Sequence, residues 1–206
     1  MKTKDYTDIV PEQYTGRGIE ADASVELEDD NNASIFYNAA KERLLNVNKW
    51  HKIAGFISAE FQVFDKNGNE TQRNVQQGDY IRVDIPGPGS KAGEGYDWVF
   101  VEELKEIGDG NIQSIGFRVR PAANPLDNQE HIAHFYDAAA TSNFIITREE
   151  IKVTATIIDR NVKPNDDTGS VTDKLRHTVV GSTAINSFSK IQWQNLAEGL
   201  VERKSD

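Results

Sequence analysis

The chain has 206 residues, 37% hydrophobic and 27% charged, with a formal net charge of −10. Acids outnumber scattered bases, which argues against a nucleic-acid binder, since these normally show a basic patch or stripe. The lack of cysteine excludes disulfides, thiolate metal sites and a cysteine nucleophile.

No apolar run approaches the ~20 residues that span a bilayer. The opening MKTKDYTDIV lacks the apolar stretch of a secretory leader. A cytoplasmic protein without membrane contact is therefore expected. Residues 1–23 read as a disordered tail ahead of a single domain at 24–206. Glu20, Asp22, Glu26, Glu28, Asp29 and Asp30 face one base, Arg17, over the end of that tail and the start of the domain. Ser24–Glu28 alternates and predicts one edge strand.

Asn31 or Asn32 is positioned to cap a helix reaching about Val47. Phe36, Ala40, Leu44 and Val47 recur at helical spacing and define its buried face, with Trp50 and Ile53 packing beneath its exit. The period then changes to two. Ile57, Ala59, Phe61 and Val63 alternate with polar residues. Asn67-Gly68 is a hairpin signal of the type I′ kind, which accounts for Asp65-x-Asn67-x-Asn69 better than a calcium loop does. A weaker strand covers Thr71–Val75. Ile81, Val83 and Ile85 alternate next.

The stretch PGPGSKAGEG follows, from Pro86 to Gly95. Gly87-x-Gly89-x-x-Ala92 matches a loose dinucleotide fingerprint. That fingerprint requires a helix immediately afterwards to receive the pyrophosphate. Gly93 and Gly95 are followed instead by an alternating strand, Tyr96–Ile107, so no cofactor is predicted. Gly87, Gly89, Gly93 and Gly95 mark an overlong hairpin loop, either a plain connection or a lid. In the strand, Trp98 and Phe100 share one face. With Trp98 turned to the core, Asp97 turns to water.

Ile115, Phe117 and Val119 form a further strand, in which Arg118 and Arg120 point outward. His131, His134 and Asp137 are weak metal candidates: on a helix they would share a face, and on a strand the two histidines would oppose. The zinc-protease pattern His-Glu-x-x-His is absent. Asn143–Thr147 and Ile151–Ile158 complete six or seven antiparallel strands in a meander. Glu102-Glu103 and Glu149-Glu150 are neighbours in sequence, which on a regular strand sends them to opposite faces. No catalytic motif is found. A helix is expected over Asp173–Ile185. Ser189 with Gln192 reads as a capping box that opens a last helix, Ser189–Arg203. The fold class is α+β: one helix, an antiparallel meander, and C-terminal helices on the sheet.

This order resembles the helix-grip fold of START and polyketide-cyclase-like proteins. It is carried by Ser24–Glu28, the helix Asn32–Val47 ending in Trp50, the strands Ile57–Ile158 and the helix Ser189–Arg203. Asp159–Phe188 is longer than the usual connection to the last helix. The resemblance implies a curved sheet around that helix, with an apolar ligand cavity between them. No motif matches, so no functional residue carries over. The expected function is binding of an apolar or aromatic small molecule, with Tyr96, Trp98, Phe100, Phe117 and Trp193 as walls. The alternative is an interaction module, a small SH3-like barrel over about 56–120.

Overall fold

The computed structural model describes residues 4–55, 59–85, 93–127, 131–165 and 181–203. Along the chain come β1 (Arg17–Glu26), α1 (Asp30–Leu45), a 3-10 turn (Val47–Lys49), α2 (Trp50–Ile53), β2 (Glu60–Phe64) and β3 (Tyr80–Asp84). They are followed by β4 (Asp97–Asp109), β5 (Ile112–Pro121), β6 (Thr141–Glu149), β7 (Lys152–Val162) and α3 (Gly181–Leu200). The strands form one antiparallel sheet in the order β1-β7-β6-β5-β4-β3-β2. No helix among the described residues is long and apolar enough to cross a membrane.

β1 starts at Arg17, inside the stretch expected to be a tail, because Ala21, Ala23 and Val25 alternate inward and pair with Ile157, Ala155 and Val153. β5 pairs with β6 from Ile112↔Glu149 to Val119↔Ser142. Strands β2–β5 are therefore part of one continuous sheet, not a separate barrel. Thr71–Val75 forms no strand; only a single bridge, Phe64↔Glu70, extends β2. Asn67 does not take the left-handed conformation that a type I′ turn needs. The Asp65 carboxylate accepts from the backbone N–H of Asn67 and Asn69 instead, at 2.9 and 2.8 Å, and shapes the turn.

Helix α1 is capped two to three residues earlier than expected, by Asp29, which accepts from Asn32 N–H at 2.8 Å. Its buried face is Ala33, Tyr37, Ala40 and Leu44. Phe36 is displaced to the flank, where the Arg43 guanidinium lies 5.7 Å from its ring. The short α2 swings Trp50 into the middle of the interior. Its ring lies 5.2 Å from Phe61, 5.9 Å from Phe117 and 4.8 Å from Phe144. Its Nε1 donates to Leu44 O at 3.1 Å, which satisfies a carbonyl that the end of α1 leaves open. Burying such a side chain contributes about 1.5–3 kcal/mol.

Helix α3 crosses the inner face of the sheet against β1 and β7. Leu196, Ala197 and Leu200 are buried there. At Gly199 a Cβ would lie 2.1 Å from Ile53 O, so α2 and α3 approach as closely as only glycine permits. Arg43 of α1 donates to the carbonyls of Leu200 and Glu202 at 3.0 and 2.9 Å, placing a cation at the negative end of α3.

The outer face is covered partly by the N-terminal segment. The Asp5 carboxylate gathers the N–H groups of Thr7, Asp8 and Val10. This turn drives Ile9, fully buried, against Gly116 and Ile145. Arg118 donates to Ile9 O at 2.7 Å. Asn161 Oδ1 accepts from the N–H of Tyr14 and Thr15 and pins the other end.

Candidate functional site

Alternation along β7 turns Val153, Ala155 and Ile157 inward, and Asp159 is next on that face. A carboxyl thereby enters the interior beneath α3 at 1% exposure. Trp193 Nε1 donates to its Oδ2 at 2.8 Å. Ser142, its cross-strand partner on β6, also acts on the carboxyl and favours the ionised form. Asp159 Oδ1 has no hydrogen-bond partner among the described residues. Burial pushes the carboxyl up to about 6, against the opposing pull of Ser142, Trp193 and Arg160. Arg160 follows on the strand and faces outward, where it pairs with Glu20 at 2.6 Å.

Two further elements close round this carboxyl. Ser189 of α3 shares a hydrogen bond with the Tyr136 hydroxyl at 3.4 Å. Burial raises the Tyr136 phenol above its ordinary range; Ser189 opposes this, and the nearby Asp159 charge adds to it. Trp193 meets Phe144 edge-on at 5.2 Å and 84°. Phe144 in turn stacks on Phe117 at 5.1 Å. Trp193 is half-buried, so this aromatic wall runs from the surface to the core.

A second acid shares the inner face. Asp97 opens β4 and pairs with Val83, in phase with the inward Val99 and Val101. It is 6% exposed, and burial alone pushes its carboxyl up to about 7. The expectation that Asp97 meets water while Trp98 meets the main core is thus reversed. Alternation fixes that the two oppose; the valines that follow Trp98 decide which one goes in.

Of the five expected walls, Phe117 and Trp193 lie on the inner face and are linked through Phe144. Tyr96, Trp98 and Phe100 gather on the other side. Trp98 is buried there against Phe64 at 5.0 Å and beneath Ala133, whose carbonyl accepts from Trp98 N–H at 2.7 Å. Phe100 meets Tyr80 at 5.2 Å. The Arg82 guanidinium lies 4.5 Å from the Tyr96 ring and 5.3 Å from that of Phe64.

Gly87 and Gly89 lie outside the described residues. Gly93 and Gly95 form the turn ahead of β4, in which Tyr96 N–H donates to Gly93 O at 3.0 Å. The stretch holding His131, His134 and Asp137 is irregular, tied down by the bridges Ala123↔Ile132 and Tyr136↔Pro164. His134 Nδ1 accepts from Tyr136 N–H at 2.9 Å, and burial lowers its pKa to about 3, so it stays neutral. Asp137 accepts from Ala139 N–H at 2.9 Å. No group of three or more metal-ligating side chains converges among the described residues. Ser189 and Gln192 form no capping box, because α3 begins at Gly181 and both lie within it. Gln192 Oε1 instead faces Ala59 N–H at 3.4 Å.

A hypothetical protein of Helicobacter pylori, jhp0584, matches 98% of this chain and 97% of its own at 11% identity, with a TM-score of 0.52. The fold is the helix grip. Other solved neighbours are truncated norcoclaurine synthase from Thalictrum flavum and ginseng major latex-like protein 151 from Panax ginseng. The first covers 94% of this chain and 100% of its own at 7% identity and TM-score 0.35. The second covers 84% and 97% at 10% identity and TM-score 0.31. No known protein-family model matches the chain, and no curated protein matches it.

Sequence reading missed Asp159, Ser142 and Tyr136. The signal for Asp159 was present, since it continues the inward series Val153, Ala155, Ile157. Nothing local marks Tyr136, whose place depends on where the loop after β5 folds back.

Proposed function

We propose that the protein binds an apolar or aromatic small molecule between the sheet and α3, beside Trp193, Phe144 and Tyr136. The observation that carries this reading is the aromatic wall beneath α3: half-buried Trp193 leads inward to buried Phe144 and Phe117. Trp50 fills the centre of the interior from the α2 side. The ligand therefore belongs at the α3 side, and Tyr96, Trp98 and Phe100 are not among its contacts. An apolar wall with a few converging polar groups is the usual character of a small-molecule site.

The test is a titration of the full chain with ethylbenzene, followed by ¹⁵N–¹H NMR of the indole N–H groups. Saturable movement of the Trp193 signal, with those of Trp50 and Trp98 unmoved, is the expected result. No saturable change at any indole would overturn the proposal. Trp193→Ala should abolish the binding while leaving the remaining indole signals dispersed.

A further inference from the structure

Resting on that reading, we infer that the ligand carries a protonated amine on its apolar or aromatic body, and that this amine pairs with Asp159 Oδ1 beneath α3. The carboxyl is 1% exposed; Oδ2 accepts from Trp193 Nε1 at 2.8 Å, and Oδ1 has no hydrogen-bond partner among the described residues. A buried acceptor left open costs free energy, and a buried anion without a cation costs more. The neighbouring Arg160 relieves it only in part. Its guanidinium is spent on Glu20 across the outer face at 2.6 Å, and it reaches only the backbone carbonyl of Asp159, at 3.2 Å.

Among the described residues, none brings Asp159 a compact positive donor from the α3 side. An ammonium supplies three N–H donors and one charge. The Ser142 hydroxyl acts on the Asp159 carboxyl and keeps lone pairs that can accept, and the Tyr136–Ser189 pair lies near enough for the Asp159 charge to act on the phenol. The rings of Trp193, Phe144 and Tyr136 suit the apolar body, and aromatic rings tolerate a nearby cation. A neutral hydroxyl would fill Oδ1 but leave the charge uncompensated. An anionic ligand would meet like charge in a desolvated place. The expected order of affinity is amine over alcohol over hydrocarbon, with a carboxylate last.

The experiment compares phenethylamine, phenethyl alcohol, ethylbenzene and hydrocinnamate on the wild-type chain near pH 8, read at the Trp193 indole N–H. Phenethylamine should bind at least about tenfold more tightly than ethylbenzene, and hydrocinnamate should not compete with it. Asp159→Asn should erase the amine's advantage while ethylbenzene still binds. Should that variant fail to fold, the wild-type ligand series decides by itself. Equal binding of amine and hydrocarbon, or of amine and alcohol, overturns this inference and leaves the small-molecule site standing. Failure of all four overturns both.

Discussion

On the outer face of the sheet, Glu102 meets Arg120 at 2.5 Å and Arg118 at 2.9 Å, and Glu103 meets Arg118 at 3.0 Å. Among the described residues, the inner-face acids Asp97 and Asp159 form no ion pair. The outer acids are neighbours in sequence, and regular alternation would separate them. A bulge between Val101 and Glu103 breaks the alternation and lets both reach the arginines. Burial pushes Glu102 up, but Arg120 and Arg118 outweigh it and hold the carboxyl below its ordinary range. Asp97 and Asp159 are pushed the other way, to about 7 and about 6, by burial with too little compensation. Paired charges on the outer face fasten strands and loops. Unpaired buried charges on the inner face cost stability, and such costs concentrate where a protein does its chemistry.

The contrast can be broken at several points. Trp50→Ala empties the centre of the inner face and should cost about 3–5 kcal/mol in chemical denaturation. A loss well under that would mean the interior collapses round the gap. On the outer face, Ile9→Ala should cost about 2 kcal/mol. The cost is capped by release of the N-terminal segment, which amide exchange at Tyr14 and Thr15 would report.

Asp97→Asn should instead stabilise, by about 1–3 kcal/mol near pH 8 and by little near pH 4. Asp97 has a folded pKa above its unfolded value, so between about 4 and 7 the folded state holds the extra proton. Stability from this group therefore falls as pH rises through that window. His134 acts oppositely: its folded value of about 3 lies below the ordinary one, so stability rises with pH between about 3 and 6.5. Asp159, raised to about 6, also loses stability as pH rises between about 4 and 6, so the wild-type profile blends all three, and removing Asp97 should tilt it toward the rising limb. A mutant with an unchanged pH profile would place Asp97 in contact with water. The smallest effect belongs to Glu102→Gln, below about 1 kcal/mol, because its ion pairs are partly solvated. A larger loss would mean that the arginines hold the bulge itself.

The strands were legible because alternation survives in nearly every one, and Phe36, Ala40 and Leu44 announced α1. The order of elements then led to the helix grip. What sequence did not settle was polarity: the pattern separates Asp97 from Trp98 without saying which turns inward. A second apolar cluster, with Phe64 and Ala133, buries Trp98 on the face that a simple two-layer reading leaves to water. Asp29 took the cap expected of Asn31 or Asn32 because its carboxylate reaches Asn32 N–H. Ser189 and Gln192 carry capping-box spacing, yet the backbone is already helical before them. Of the site, Phe117 and Trp193 were legible as large inward aromatics. The polar partners were not, since they converge from β6, β7, α3 and the loop after β5.

The pairing of β1 with β7 joins Arg17–Glu26 to Lys152–Val162, near opposite ends of the chain. During synthesis the first strand leaves the ribosome long before its partner exists. Until then Ala21, Ala23 and Val25 have no sheet to cover them, and an orphan strand is a template for mispairing. Glu20, Asp22 and Glu26 alternate with them. In the finished protein these acids lie on the outer face; along an unpaired strand they form the charged pattern that blunts mispairing.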